Sequence, residues 1–212
     1  MERKEEIIYA ALELASVNGL KSVSLSQIAE KVGMKAPSLY NHFRSKDEIV
    51  KAMYSTLRGK ALKGRSTGFA DPGELASKGL EQILTESISG YLGMISDRNM
   101  LQFFRVLYSE RSLDPLAAEI MLDETEHMIQ ATRNLFYALA VHGKMKSDGI
   151  DTAAVTFALT VHSLIDYRMD MLTAGKADSF GDNQGPFTKE LTAFVKWFCE
   201  QVGGNRNEQE TH

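Results

Sequence analysis

The chain has 212 residues, 43% of them hydrophobic, with a formal net charge of -4 and a single cysteine, Cys199. This is enough apolar matter for one or two domains with a core, but no apolar run approaches the ~18–20 residues that a bilayer span needs, and one cysteine excludes an intramolecular disulfide framework or a cysteine-based zinc site. The averaged charge hides an asymmetry: residues 1–65 hold 12 Lys+Arg against 7 Asp+Glu and the rest 12 against 21, which suits a polyanionic partner at the N-terminal end.

Helical periodicity runs almost throughout and strand alternation almost nowhere, which predicts an all-α fold of about nine helices. The opening "MERKEE" leads straight into an amphipathic pattern, so no secretory leader and a cytoplasmic location are expected. Ile7, Ala11, Leu14 and Ala15 form the first apolar stripe, which stops at Asn18-Gly19. Ser24 and Gln27 have the spacing of a capping box; the helix they open would bury Leu25, Ile28, Ala29 and Val32. Gly33 then stands where a tight turn needs positive φ. Pro37 is acceptable only in the first turn of a helix, so a short helix starts there, with Leu39 and Phe43 inward and Tyr40, Asn41 and His42 largely outside. Ser45 and Glu48 offer a second capping box, ahead of a longer helix through Ile49, Val50, Met53 and Leu57.

From about residue 64 the stretch "GRSTGFADPGE" reads as flexible. Asp71-Pro72 and Asp114-Pro115 are N-cap and N1 pairs. Between them lie an apolar helix ending at Ile95 and the aromatic helix "MLQFFRVLYSE". One long helix runs from Leu116 to about Val141, closed by Gly143, and another from about Asp151 to Ala174, closed by Gly175. After the loop "KADSFGDNQG", Pro186 starts a last helix striped by Phe187, Leu191, Phe194, Phe198 and Val202. The polar tail from Gly203 is expected to fray.

Two short helices about a Gly turn, the second with its polar side exposed, make the layout of a helix-turn-helix, whose second helix enters the DNA major groove. Small residues at its start, Ala36, Pro37 and Ser38, permit close approach to the bases, and Lys35 can reach a guanine edge or a phosphate. Tyr40, His42 and Lys46 carry donors suited to phosphate oxygens, which fix register. With Ser24, Ser26 and Asn41 they form the candidate DNA-contacting set. Catalysis finds little footing. His162 and Asp166 lie one turn apart, but Ser163 points to a different side, so no nucleophilic triad forms. There is no Gly-rich phosphate loop or acidic metal cluster. No catalytic residue, metal or cofactor is expected, and Cys199 reads as a small buried hydrophobe.

The segment "SQIAEKVGMKAPSLYNHFRSKDEIV" resembles the N-terminal DNA-binding domain of the tetracycline-repressor (TetR) family. Its signature is matched by Ile28-Ala29, Gly33, Leu39-Tyr40, His42-Phe43 and Ser45-Lys46, and the leading helix by Ala11, Leu14 and Gly19. The resemblance covers roughly residues 5–50; Pro37, where the family often holds another small residue, stiffens the start of the recognition helix. It implies a DNA-binding domain over 1–47, a connecting helix over 48–66, an effector-binding and dimerisation domain over 71–203, and a disordered tail over 204–212. It further implies a repressor that leaves a palindromic operator when a small molecule binds. The alternative is the same fold with a protein partner in place of the small molecule. The family places the effector among the middle helices, here roughly 72–172. A mostly apolar cavity is expected there, with His127, His162 and Asp166 as polar anchors and Phe104, Tyr108 and Met128 on its walls. A homodimer is expected through residues of about 151–174 and 186–203.

Overall fold

Helix-start and helix-stop chemistry accounts for most of the architecture of the computed structural model, which describes residues 2–63, 72–176 and 186–204. Ten helices occur among the described residues: α1 Arg3–Asn18, α2 Leu25–Lys31, α3 Ala36–Leu39, α4 Lys46–Leu62, α5 Pro72–Ser77, α6 Leu80–Ile95, α7 Arg98–Glu110, α8 Pro115–Val141, α9 Ile150–Thr173 and α10 Pro186–Val202. None is long and apolar enough to cross a membrane. The chain divides into two units, Met1–Gly64 with Met94–Asp123, and Arg65–Gly93 with Glu124–His212.

In the first unit α1 packs on α2, α4 and α7, and α2 on α3. Its core holds Ile7, Ile8, Leu12, Ile28, Leu39, Phe43, Ile49, Met53, Leu57 and Phe103. Fully burying each such side chain is worth about 1.5–3 kcal/mol. The inward face of α1 is wider than its expected stripe: Ile8, Ala10 and Leu12 are buried, while Leu14 is only half-buried. Leu25 and Val32 are half-buried too, so α2 is anchored chiefly by Ile28 and Ala29.

In the second unit α9 packs along α10. The rings of Phe136, Phe157, Phe194 and Phe198 form one cluster, with Phe157 and Phe198 centroids 4.9 Å apart and Phe136 and Phe157 at 5.4 Å. At these separations aromatic pairs add about 0.5–1.5 kcal/mol beyond area burial. Among the described side chains of α10, Val195 and Phe198 are buried and Leu191, Phe194 and Val202 are half-buried; the expected stripe residue Phe187 lies outside them.

Three local differences from the sequence reading have physical causes. The apolar segment ending at Ile95 is two helices, because the Ala76 and Lys78 carbonyls accept from Lys144 Nζ at 3.2 and 2.6 Å and Gly79 follows. This makes ten helices where about nine are expected. Asp97 caps α7 by accepting from the Asn99 and Met100 amides at 3.0 and 3.1 Å, a start signal that the sequence reading misses. Gly203 and Gly204 are held: Met145 and Gly203 form an antiparallel bridge, and the Gly204 amide donates to the Lys144 carbonyl at 3.3 Å. A Cβ on Gly204 would meet the Gly143 carbonyl oxygen at 2.6 Å, a contact that only glycine escapes.

Other start and stop signals act as expected. Asp114 accepts from the Leu116 and Ala117 amides at 2.8 and 3.1 Å. Gly143 and Gly175 end α8 and α9 with paired amide-to-carbonyl bonds, Lys144 to Leu139 at 2.9 Å and Lys176 to Met171 at 2.8 Å. Asp71, the segments 64–71 and 177–185, and the tail beyond Gly204 lie outside the described residues.

Candidate functional site

Local bonding builds the helix-turn-helix. The Ser24 hydroxyl accepts from the Gln27 amide at 3.2 Å, and the Gln27 side-chain oxygen accepts from the Ser24 amide at 2.8 Å. This reciprocal box satisfies two amides that the first turn of α2 would leave unbonded. At the other end the Gly33 amide donates to Glu30 and the Met34 amide to Ala29, at 3.0 and 2.8 Å. That pair of bonds needs a left-handed residue between them, and Gly33 supplies φ 65. The chain then enters α3 with Pro37 in its first turn.

The short α3 is fixed from beneath by Leu39 and Phe43, both buried. Beyond Leu39 the chain continues as a turn, with the His42 and Phe43 amides both donating to the Leu39 carbonyl at 2.9 and 3.0 Å. This leaves Lys35, Pro37, Tyr40 and Asn41 exposed, Tyr40 by 54%. Ala36, Ser38 and His42 are half-buried. Ser26 is exposed at the start of α2, beside a Ser24 hydroxyl already engaged in capping.

Lys46 is placed differently from its neighbours. Its ammonium donates to the Leu20 and Lys21 carbonyls at 3.0 and 3.3 Å, which ties the start of α4 to the turn after α1. Two of its three donors therefore serve the fold. Ser45 caps α4 by accepting from the Glu48 amide at 3.1 Å, but the Glu48 carboxylate reaches back to the Arg44 amide at 2.6 Å and not to Ser45. The second capping box is thus displaced by one residue. Lys4 Nζ stands 5.6 Å over the Phe43 ring, a cation–π contact that fastens α1 to the base of the turn after α3.

The six residues expected around an effector are divided between the two units of the chain. Phe104, buried, and Tyr108, half-buried, belong to the first unit; His127, Met128, His162 and Asp166 belong to the second. His162 Nε2 lies 3.6 Å from Asp166 Oδ1, one turn along α9, with both side chains mostly covered. Met128 is buried. His127 is exposed, which corrects its expected place as a buried polar anchor. Adjacent residues on a helix project about 100° apart, so apolar neighbours in sequence do not surround it.

The sequence reading overlooks two charged residues that the second unit does bury. Glu124 on α8 and Arg168 on α9 are each 1% exposed, and the Tyr91 hydroxyl on α6 donates to Glu124 Oε1 at 3.2 Å. Burying an ionised side chain is costly unless polar groups surround it, so these residues mark a polar interior. No group of three or more potential metal-ligating His, Cys, Asp or Glu occurs among the described residues.

Comparison with known proteins agrees with the helix-turn-helix geometry. Residues 7–53 match the model of bacterial regulatory proteins of the tetR family, and residues 82–181 match that of the AefR-like transcriptional repressor C-terminal domain. No curated protein sequence matches significantly. Among solved structures, the flavonoid-responsive regulator FrrA is similar at 20% identity over 94% of this chain and 96% of its own, with a TM-score of 0.71. Salmonella enterica GusR is similar at 20% identity over 93% and 95%, with a TM-score of 0.66. A transcriptional regulator from Rhodococcus sp. Rha1 is similar at 17% identity over 95% and 98%, with a TM-score of 0.64. A capped α2, a left-handed Gly33 and an exposed polar face on α3, in the segment matched by one family model and followed by a helical part matched by another, place the chain in the TetR family of transcriptional regulators, with a helix-turn-helix for binding DNA.

Proposed function

We propose that this regulator is a homodimeric repressor that leaves a palindromic operator when a small molecule binds its C-terminal part. The observation that carries the DNA half is the exposed row on and beside α3, Lys35, Pro37, Tyr40 and Asn41, standing over buried Leu39 and Phe43. Residues 1–47 would serve as the DNA-binding domain, 48–66 as the connecting helix and 71–203 as the effector and dimerisation domain. Lys35, Ala36, Pro37 and Ser38 would approach base edges. Tyr40, Asn41, His42 and Ser26 would meet phosphates. Lys46 and Ser24 would act mainly by holding the turns that present them.

For assembly, α9 exposes Leu159 and Tyr167 and α10 exposes Trp197. Large apolar groups on two helices that already pack together suit an isologous four-helix interface. For the effector, the match to a repressor C-terminal domain and the description of FrrA as flavonoid-responsive favour a small molecule. Within the second unit the polar anchors would be His162, Asp166, Glu124, Arg168 and Tyr91, with Met128 as an apolar wall.

The test is titration of operator duplex at several salt concentrations. Tyr40→Ala and His42→Ala should weaken binding to all duplexes alike, as expected for lost phosphate contacts, with the slope of log K against log salt little changed because neither removes a fixed positive charge. Undiminished affinity in both variants would overturn the placement of the DNA-binding face. Operator binding that no small molecule relieves, together with capture of a defined protein partner by residues 71–203, would replace the effector reading.

A further inference from the structure

The first unit contains a groove of ≈ 620 Å³ between the C-terminal end of α1 and one face of α7. Arg98, Gln102 and Arg105 line its α7 side, Ser16 and Gly19 its α1 side, and Leu101 is among its apolar contributions. The spacing 98, 102, 105 is i, i+4, i+7, which puts the three polar side chains on one helix face. Neither arginine has a hydrogen bond or ion pair among the described residues. Their neighbours in the same unit do otherwise: Arg3 pairs with Glu6, Lys31 with Glu13 and Lys51 with Glu119. The carboxylate of Glu110 is drawn to the opposite end, where it accepts from the Lys21 amide at 3.5 Å close to Gly19.

Two guanidinium groups without carboxylate partners therefore face a concavity whose size is that of a small-molecule site. Guanidinium forks match carboxylate and phosphate oxygens in pairs. Seven residues of helix separate the two arginine backbones by about 10 Å along the axis. We propose that this groove binds a small, elongated organic dianion, one oxyanion at Arg98 and the other at Arg105, with Gln102 donating between them. The apolar carbons of the ligand would lie on Leu101 and Val106, both lining residues. Because α7 packs on both α1 and α4, the bound anion would join the helices on which the helix-turn-helix is mounted. The site does not rest on the effector reading of the second unit.

The experiment is calorimetric titration of the full chain at constant ionic strength with suberate, with hexane-1,6-bisphosphonate and with uncharged octanediol. Saturable binding of suberate or the bisphosphonate is expected, weakened about tenfold or more by Arg98→Gln and by Arg105→Gln as a charge-assisted bond is lost at each end. The better of the two anions then identifies carboxylate or phosphate as the recognised group. Both arginines are exposed, so the variants fold, and unchanged circular dichroism verifies it. Absence of binding by both anions at millimolar concentration, equal binding of octanediol, or binding that both Gln variants retain would each overturn the site.

Discussion

In α2, α3 and the turn beyond them, polar side chains either stand outside or bond to backbone a few residues away, as Ser24, Gln27 and Ser45 do. In the second unit, by contrast, α8 and α9 carry Glu124 and Arg168 into the interior, and half-buried Tyr91 of α6 bonds to Glu124. The first arrangement costs little desolvation, because water still reaches most of the donors that DNA would take over. The second keeps two ionisable side chains away from water, which requires that polar partners be fixed by packing. A surface that trades water for phosphate oxygens can be assembled from local turns. An interior that holds charged side chains needs groups delivered from several helices at once.

The strongest way to break this contrast is at Arg168. Arg168→Ala removes a large, fully buried side chain and leaves a cavity in its place, and should destabilise the protein by about 3–5 kcal/mol, read from the urea midpoint. Arg168→Met keeps much of the volume without the charge and should stay within about 1.5 kcal/mol of the parent, while abolishing the response to any effector that relieves operator binding. If Met costs as much as Ala, the guanidinium serves the fold and not the ligand. Next comes Lys46. Bonds to a charged group are worth about 1.5–3 kcal/mol, but this ammonium is only partly buried, so Lys46→Ala should cost about 1 kcal/mol. Its effect on DNA affinity should persist in Lys46→Gln, which restores a donor but not the charge, if phosphate contact contributes; recovery in the Gln variant assigns it to the α1–α4 tie. Ser24→Ala should follow at about 1 kcal/mol or less, the cost of a lost N-cap, with the melting temperature as the measurement.

The same contrast explains what was legible in the sequence. Capping pairs, Pro37, Gly33, Gly143 and Gly175 act over four or five residues, so their spacing announces the turns that the structure shows. The resemblance of residues around 5–50 to a known DNA-binding domain rests on those same short-range features and agrees with the match over residues 7–53. The effector candidates depended on what packs across from each helix, which no spacing states. Met128 is buried and His127 beside it is exposed; a period of 3.6 residues per turn allows this, and apolar neighbours in the chain did not reveal it. Glu124 and Arg168 sit on helices that carry other charged residues, such as Glu126 and Asp170, and only the folded arrangement distinguishes the buried ones from the solvated. The break at Lys78-Gly79 is similar: its cause is Lys144, 66 residues away.

The smallest expected effect concerns Cys199, the one thiol, on the half-buried side of α10. Burial first, and then the carboxylates of Glu81 and Glu200, push its pKa up from 9.0 to about 11. The thiolate is the reactive form, so at pH 8 alkylation of the folded chain should be slower than that of the unfolded chain by about 100-fold, the ratio of thiolate fractions for two pH units. The same shift sets a stability window. Below pH 9 the thiol is neutral in both states, and its contribution to folding is fully present. As pH rises from 9 the unfolded thiol ionises first, releasing a proton that the folded state retains, so stability falls until about pH 11, where the folded thiol ionises too. Tyrosines and lysines titrate in the same range, so the measurement is a difference. Urea midpoints of the parent and of Cys199→Ala, taken from pH 8 to 11, should diverge, with the alanine variant losing less stability above pH 9. Parallel curves, together with rapid alkylation of the folded chain at pH 8, would show instead a thiol open to water.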